Sequence, residues 1–541
     1  MAQPELVAPT WSDSRRLFGP SRWLEAPGVV LEGVVDGELA STAADAWRAT
    51  VQRLAAALGW PAPTCSVTGR AGHLVLAFTA PGDRLLTATE VNEWAWESAL
   101  RAAGVASAPA LLAPGDLPRD EASAVRQLAV LATLEAQAPS SDLAVVARPD
   151  QRVALVTGSN GKTTTTRLIA AMTMATGQHT GWCCTDGVFI DGVAVEAGDW
   201  SGPAGAQRVV GAPAVECAIL ETARGGILRR GLGVLGAAVA VVTNIEADHF
   251  GEYGVETLAD LALVKLVIAK GLRGGGVLVL NADDAALRAA TLPAGVTVAW
   301  YSPSGATRQV GEQPATAWRD GDHLWLAAPR GVEDLGDLRT MPLTAAGAAE
   351  YNLTNMLAAV LAAHHLGVVP STITTVLARF GAHPADNAGR LSRFEWHGAT
   401  ILLDYAHNPT GLTGLLKVAR SLHPTRLLLL LGQAGNRDDG ALADLAAAAW
   451  AARPDRIVLK ELDGYRRGRT MGEVPALLEG ALRTLGAPTD RIVTVLDEVE
   501  AVEASIAWAQ PGDVLVLPVH SLDARTEVLA RLAAMGAVTP A

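Results

Sequence analysis

The segment Val153–Thr166, VALVTGSNGKTTTT, has residue types and spacing that can bind a polyphosphate. Its first four apolar residues predict a buried strand, and the residues after the loop have helical character. Gly158 and Gly161 let backbone amides approach phosphate oxygens, Lys162 supplies a cation, and the Thr163 hydroxyl can bind Mg²⁺. The glycines stand closer together than in the usual P-loop, so a tight turn that binds nothing is the alternative. The lysine and threonine that follow favour ATP binding.

Two further polar residues follow predicted strands of the same region. Glu221 comes directly after the apolar run Cys217–Leu220, and His249 follows Ala237–Val242 after a short loop. Because the carboxyl ends of parallel strands meet at one sheet edge, we expect both side chains beside the phosphate loop. Glu221 provides the oxygen donor that Mg²⁺ prefers, whereas histidine is an unusual magnesium ligand. The alternatives are an exposed loop acid for Glu221 and a helix cap for His249.

Lys265 lies on a predicted helix, Thr257–Leu272, which begins with a capping box formed by Thr257 and Asp260. Most of its neighbours on this helix are apolar. Lys265 is therefore either a lysine whose aliphatic stem covers apolar surface or a functional group held near the phosphate loop.

Short apolar runs alternate with helices from Arg152 to about Phe380, which predicts an α/β unit with a parallel sheet flanked by helices. A second such series follows and predicts a doubly wound α/β unit. Its strands are expected at Ile401–Leu403, Leu427–Leu431, Arg456–Leu459, Arg491–Val495 and Val514–Leu517.

The first part of the chain has a different pattern. Predicted helices at Ala40–Leu58 and Thr89–Ala103 and an alternating strand at His73–Phe78 indicate an α+β unit. The resulting organisation is an N-terminal domain at 1–135, a linker at 136–151, a central ATP-binding domain at 152–385 and a C-terminal domain at 386–541.

Composition restricts the class of protein. Only 18% of the 541 residues are charged, the formal net charge is −13, and no long uncharged apolar stretch occurs. This balance argues against nucleic acid or a membrane as the main partner, and we expect a cytoplasmic protein. Cys65, Cys183, Cys184 and Cys217 lack the spacing of a zinc site, so we expect free thiols.

Several blocks in one order resemble the Mur ligase family, and within it the Mur-like half of cyanophycin synthetases. The matching segments are TGSNGKTTTTRLIA, TDGVFIDG, ILETARGGILRRGLG, NIEADHFGEYGVETLADLALVK, LNADD, LLDYAHNPTGL, GQAGNRDD and KELDGYRRGRTMGE. The N-terminal segment DSRRLFGPSRWLE is also similar to the start of cyanophycin synthetases. Those enzymes carry an ATP-grasp domain between these two parts, whereas here the linker runs directly into the phosphate loop.

The resemblance implies site residues by position. The residues implied to bind ATP are Gly158, Asn160, Gly161, Lys162, Thr163, Thr164, Asn352, Asn355, Arg390 and Asp404. The implied magnesium ligands are Thr163, Glu221, His249 and Lys265, the lysine either bare or carbamylated. The implied catalytic residues are Lys162, Asn160, His249 and Lys265, and the implied substrate contacts are Asp186, Asp199, His407, Asn436, Arg437 and Asp438.

The same resemblance implies an ATP- and Mg²⁺-dependent ligase that activates a carboxylate as an acyl phosphate and couples it to an amino acid or another amine. The acid is expected to be a small molecule or a peptide, and the protein a homo-oligomer. A separate ATP-grasp ligase is a further expected partner. One alternative is a non-catalytic nucleotide-binding subunit or regulator of such a synthetase. A P-loop kinase or plain ATPase is another, but it leaves the GQAGNRDD region unexplained.

Overall fold

The computed structural model describes residues 11–35, 37–70, 72–104, 120–138, 142–247, 250, 252–305 and 314–539. Within these ranges no helix combines the length and apolar character needed to cross a membrane. The four cysteines are free thiols, as the sequence predicted.

The N-terminal unit is an antiparallel sheet covered by helices. Its strands follow the order β1-β2-β4-β3, and Trp47, Phe78 and Trp96 fill its core. The predicted helices and the predicted strand at His73–Phe78 are confirmed, with small shifts at their ends. The elements are β1 Trp11–Leu17, β2 Gly28–Val34, α1 Ala40–Ala57, β3 Cys65–Arg70, β4 His73–Thr79, α2 Leu85–Ala102 and α3 Glu121–Gln137.

The central unit is built on a sheet that has eleven strands within the described ranges. Strands β15, β14, β13, β12, β6, β10 and β7 lie side by side and parallel, and antiparallel strands flank them at both edges. The eleven strands are β6 Arg152–Thr157, β7 Thr180–Cys184, β8 Gly187–Ile190, β9 Val193–Ala197, β10 Cys217–Glu221, β12 Ala237–Val242, β13 Leu272–Asn281, β14 Thr297–Ser302, β15 Thr316–Asp320, β16 His323–Ala328 and β17 Gly331–Asp337, and a separate two-stranded sheet consists of β5 Val145–Val146 and β11 Val234–Leu235.

Helices cover both faces of this sheet. Helices α4 and α9 contribute to the core on one face, and α5, α6 and α7 to the core on the other. The helices are α4 Lys162–Met174, α5 Pro203–Val210, α6 Arg224–Arg230, α7 Leu258–Leu266, α8 Ala285–Ala289, α9 Glu350–His365 and α10 Pro370–Leu377. The predicted capping box is confirmed: Thr257 accepts from the Asp260 N–H, and Asp260 accepts from the Thr257 N–H. The helix it opens is shorter than expected, because residues 267–271 continue as a 3₁₀ helix.

The second half of the segment expected as a linker belongs structurally to the central unit. Strand β5 pairs in parallel with β11. Gln151 is buried, and its side-chain amide donates to the carbonyl oxygen of Val215 at 2.9 Å. Residues 139–141 of this segment lie outside the described ranges. A free connection between the two units is therefore shorter than 136–151.

The N-terminal segment after β1 is also joined to the central unit. The Phe18 N–H donates to the carbonyl oxygen of Arg230 at 2.8 Å. Arg22 forms an ion pair with Asp260 at 2.7 Å, and the Lys270 ammonium donates to the carbonyl oxygen of Ser21 at 2.8 Å. The N-terminal unit is thereby fixed against the helices that border the candidate site.

The C-terminal unit is a second sheet with helices on both faces, as the sequence predicted. Its strand order is β18-β19-β23-β20-β21-β22, antiparallel only between β18 and β19. The elements are β18 Ser392–Trp396, β19 Ala399–Asp404, α11 Pro409–Ser421, β20 Leu427–Leu431, α12 Asp439–Ala451, β21 Arg456–Leu459, α13 Glu473–Thr484, β22 Ile492–Thr494, α14 Glu498–Trp508, β23 Val514–Pro518 and α15 Leu522–Ala534.

Candidate active site

The phosphate loop joins β6 to α4, as the sequence predicted. Gly158 and Gly161 have φ values of 152° and 83°, in the region that glycine adopts most readily. A Cβ atom at Gly158 would collide with the Thr243 hydroxyl, and one at Gly161 with the Asn355 side-chain oxygen. The two glycines therefore allow both the backbone turn and the close approach of its neighbours.

Lys162 stands at the N-terminus of α4, and its ammonium donates to the carbonyl oxygens of Gly158 and Ser159 at 3.2 and 3.1 Å. Lys162 lines two cavities, whose linings also share Ser159 and His407. The Lys162 ammonium can therefore contact ligands in both cavities.

Glu221 lies at the end of β10 and is only 1% exposed. Its carboxylate accepts from the Thr163 hydroxyl at 2.8 Å and from the Thr185 hydroxyl at 3.1 Å. Among the described residues no lysine, arginine or histidine nitrogen forms an ion pair with it. A buried carboxylate with two hydroxyls and no paired cation has the donor set of a Mg²⁺ site. The described residues contain no cluster of three or more histidine, cysteine, aspartate or glutamate side chains arranged for a metal.

The first cavity has a volume of about 620 Å³ and extends from the phosphate loop to the C-terminal unit. Asn352 and Asn355 on α9 line it and are linked to each other, the Asn355 amide donating to the Asn352 side-chain oxygen at 3.0 Å. Asp404 and Arg390 approach from the other side. The volume lies in the range of small-ligand sites.

Arg390 is held over the ring of Tyr405 at 4.1 Å, and its guanidinium donates to the Thr163 hydroxyl at 3.4 Å. Its Nε atom is buried and has no hydrogen-bond partner among the described residues. An arginine guanidinium that lines a cavity fits an anionic ligand.

Asp404 is fixed by its backbone neighbours. Its carboxylate accepts from the N–H groups of Leu391 at 2.6 Å and Ala406 at 2.7 Å. Burial raises the pKa of Asp404 above its usual range, and the Arg390 guanidinium and these backbone donors oppose that shift. The carboxylate therefore lies at the cavity wall in a fixed orientation.

The second cavity has a volume of about 900 Å³ and lies between α5, α6 and the C-terminal unit. Asp199, His407 and Asn436 line it, as does Lys265, which is 3% exposed. Among the described residues, its charged lining comprises six cations and two carboxylates: Lys162, Arg224, Arg229, Arg230, Lys265 and Arg467 against Asp199 and Glu252. In a protein with a net charge of −13 this excess of cations marks a site for an anion.

The two domains meet across this site. Asn408 donates to the side-chain oxygen of Asn160 at 2.8 Å, and Asn436 donates to Glu252 at 3.3 Å. Thr164 accepts from Asn387 at 3.2 Å. The structure thus brings the phosphate loop into contact with residues far along the chain.

Asp186 and Asp438, which were predicted as substrate contacts, are bound by other groups of the protein. Asp186 is buried, with Arg167 at 2.6 Å and Arg525 also paired to it. Burial alone would raise the pKa of Asp186, but the guanidinium groups of Arg390, Arg167 and Arg525 lower it. Asp438 is the N-cap of α12, accepting from the Ala441 N–H at 2.7 Å.

Arg437 and His249 are the two remaining predicted site residues. The Arg437 carbonyl accepts from Arg469 at 2.8 Å, in the loop before α12. His249, predicted as a magnesium ligand, lies outside the described residues.

Sequence reasoning missed several residues of the site. Asn408 and Thr185 are the immediate neighbours of the predicted residues His407 and Asp186. Each follows a strand, and this position is the signal that could have identified them. Arg167 and Arg525, by contrast, carried no sequence signal, because both are helix residues whose shared partner lies far from them in the chain.

Comparisons with known proteins agree with this arrangement. A family model described as Mur ligase middle domain matches residues 156–363, and one described as Mur ligase, glutamate ligase domain, matches residues 389–518. Cyanophycin synthetase from Trichormus variabilis is 35% identical over 368 residues, which cover 67% of this chain and 40% of the relative. The chain therefore spans about two fifths of the length of that relative.

A second relative is covered more completely. UDP-N-acetylmuramoyl-L-alanyl-D-glutamate--2,6-diaminopimelate ligase from Xanthomonas campestris pv. campestris is 31% identical over 425 residues, covering 75% of this chain and 79% of the relative. Among solved structures, E. coli FolC in complex with DHPP and ADP superposes with a TM-score of 0.51 at 19% identity. That superposition covers 72% of this chain and 90% of the other, and shows a shared fold.

Proposed function

This chain belongs to the Mur ligase family, and we propose that it is an ATP-dependent ligase that joins a carboxylate to an amine, releasing ADP and phosphate. The observation that carries the proposal is the position of Lys162 in the lining of two cavities. One cavity suits a nucleotide and the other is rich in cations. Such a pair of sites is what transfer of a phosphoryl group from ATP to an acid requires.

The residues of the first cavity fit ATP. The phosphate loop and Lys162 would hold the β- and γ-phosphates, and the Arg390 guanidinium, which lines the same cavity, would supply a further cation. Asn352 and Asn355 would contact the adenine, and Asp404 the ribose. These assignments follow the family positions and agree with the lining of the cavity.

The Thr163 hydroxyl and the Glu221 carboxylate would hold a Mg²⁺ ion. The ion would supply positive charge to the phosphate oxygens, which lowers the cost of the charge that develops during phosphoryl transfer. Lys265, bare or carbamylated, and His249 remain the proposed ligands of a second ion. Lys265 lines the second cavity beside the phosphate loop, which agrees with that assignment.

In the proposed reaction an oxygen of the substrate carboxylate attacks the γ-phosphorus, and the bond to the β–γ bridging oxygen breaks as ADP leaves. The amine nitrogen then attacks the carbonyl carbon of the acyl phosphate, the bond to the phosphate oxygen breaks, and the nitrogen loses a proton. Lys162 offsets the charge on the transferred group. Asn160, in the same loop, lies at the contact between the two domains.

We assign the carboxylate substrate to the second cavity, because its cations attract an acid and Lys162 faces it. Asp199 borders the same cavity. His407 and Asn436 approach from the C-terminal unit, so the amine is proposed to enter from that side. The proposed acid is a small molecule or an aspartyl peptide, and the proposed amine is an amino acid.

Three further proposals concern the setting of the reaction. We infer a cytoplasmic homo-oligomer and a separate ATP-grasp ligase as a partner that extends or supplies the acid. The last inference is based on the similarity to cyanophycin synthetase, of which this chain covers 40%.

The test is a screen of amino acids against aspartyl peptides and small acids, measuring ADP and phosphate release, with mass spectrometry of the product. A ligase releases phosphate only when both acid and amine are present. Lys162→Ala should lower turnover by about 10²–10³-fold or more, because the transferred phosphoryl group loses its cation. The matched control is Lys417→Ala, an exposed lysine on α11.

Two results would overturn the proposal. Phosphate release that needs neither substrate would indicate an ATPase. Nucleotide binding without turnover for any acid and amine would indicate a non-catalytic subunit.

A further inference from the structure

A buried charged cluster lies in the C-terminal unit, apart from both cavities. It consists of Lys460 directly after β21, Glu498 at the start of α14 and His520 shortly after β23. The side chains of these residues are 0%, 8% and 5% exposed, in that order. A lysine is costly to bury unless its ammonium is paired and hydrogen-bonded.

The three side chains are fully connected. The Lys460 ammonium is paired with the Glu498 carboxylate and lies 3.1 Å from Nδ1 of His520. Glu498 also accepts from the backbone N–H groups of His520 at 2.8 Å and Ser521 at 3.0 Å. Gly432 leaves room for the lysine, since a Cβ there would lie 2.7 Å from Cγ of Lys460.

These contacts determine the tautomer of His520. An ammonium group can only donate, so Nδ1 of His520 accepts from Lys460 and the ring proton lies on Nε2. Nε2 then donates to the carbonyl oxygen of Ala406 at 3.0 Å. Burial and the Lys460 charge lower the pKa of His520 well below its ordinary value, which keeps the ring neutral.

Ala406 belongs to the segment Tyr405–Asn408, which follows β19 and reaches the active site. Tyr405 and Ala406 line the first cavity, His407 lines both, and Asn408 donates to Asn160 of the phosphate loop. The segment is held from behind at a second point, where Gln433 donates to the carbonyl oxygen of His407 at 2.5 Å.

We propose that Lys460, Glu498 and His520 form a buried positioning network that fixes the Tyr405–Asn408 segment against the phosphate loop. Lys460 and Glu498 orient the imidazole, and the imidazole fixes the carbonyl of Ala406. None of the three touches substrate. Their effect on the reaction is the alignment of His407 and Asn408 at the junction of the two cavities.

The first test compares His520→Gln with His520→Leu. Glutamine keeps a donor near the Nε2 position, whereas leucine fills similar space without one. His520→Leu and Lys460→Met should lower kcat by about 10–100-fold with little change in the KM for ATP, because a misplaced segment impairs alignment. His520→Gln should stay within a few-fold of the natural protein in the same assay.

The control is Ile506→Ala on α14, which creates a buried cavity in the same core without removing a hydrogen bond. It should lower the melting temperature yet leave kcat unchanged. Equal losses of kcat in the glutamine, leucine and Ile506→Ala variants would overturn the proposal, since only packing would then matter.

The kinetic comparison rests on the proposed ligase activity, so a second measurement is independent of it. In ¹⁵N spectra of histidine-labelled full-length protein, one imidazole should keep its proton on Nε2 between about pH 6 and 8, where an ordinary histidine titrates. That signal should vanish in His520→Gln and shift in Lys460→Met. A His520 ring that titrates normally, or carries its proton on Nδ1, would overturn the network whatever the reaction.

Discussion

Replacing Asp186 with asparagine tests whether this residue is a substrate contact, as its family position implies, or a structural charge. In the structure Asp186 joins Arg167 of the central unit to Arg525 of the C-terminal unit, with all three side chains at most 8% exposed. The substitution keeps the size of the side chain but removes its charge. Two buried guanidinium groups are then left without their anion.

Removing one partner of a buried ion pair costs about 3–5 kcal/mol, because the remaining charge is desolvated and uncompensated. A change of 1 kcal/mol shifts the Tm of a unit of 150–250 residues by about 2–4 °C, so we expect Tm to fall by roughly 6–20 °C. Arg525→Met should lower Tm as well. The double variant should lose less than the two single losses added together, since both remove the same contact.

The pH dependence has a defined sign. The arginines lower the pKa of Asp186 in the folded protein despite its burial. Its contribution to stability is therefore present above the unfolded aspartate pKa of about 3.9 and is lost as pH falls through the lower folded value. The Tm difference between the natural protein and Asp186→Asn should be constant above about pH 5 and should shrink below about pH 4.

Differential scanning fluorimetry from pH 3 upward measures these shifts, and steady-state kinetics measures the KM of the acid. The matched control is Glu479→Gln, which removes a surface ion pair with Arg483 at 3.4 Å and should cost about 0.2–1 kcal/mol. The reasoning is refuted if Asp186→Asn melts like this control. An increase in the KM of the acid without a change in Tm would instead support a substrate contact.

Two further substitutions test the magnesium site and the helix beside it. Glu221→Gln should weaken Mg²⁺-dependent ATP binding by at least about tenfold, since the buried carboxylate is the proposed ligand, and calorimetry with and without Mg²⁺ measures this. Equal ATP affinity in both proteins would contradict the assignment. Thr257→Ala removes the cap of α7 and should cost about 0.5–2 kcal/mol in a denaturant titration, whereas an unchanged midpoint would show that the cap contributes nothing.

The elements of the fold were largely readable from the sequence. The apolar runs at 237–242, 427–431 and 456–459 are strands with the predicted bounds, because a buried parallel strand needs an unbroken apolar segment. The linker at 136–151 was read less well. Its prolines and serines predicted a linker, and the short apolar run at 143–147 did not indicate that β5 would pair with a strand about ninety residues later, because such pairing depends on where the chain returns.

The candidate site also combines features that the sequence predicted with contacts that it did not predict. The phosphate loop was predicted because its function requires residues that are adjacent in the chain, and the structure places Thr163 against Glu221 as expected of two neighbouring strand ends. The contacts of Asp186 and Asp438 were not predictable from local sequence. Asp438 caps α12, and the partners of Asp186 come from two other helices.

The sequence by itself determined the family, the order of strands and helices, and the glycine-containing loop between β6 and α4, since these depend on local periodicity and on residues a few positions apart. Only the tertiary structure decided that Lys162 lines two cavities, that three arginines surround Asp186, and that Lys460 reaches His520. Those contacts join residues far apart in the chain. A side chain carries no mark of its distant partner, so these contacts arise only when the chain has folded.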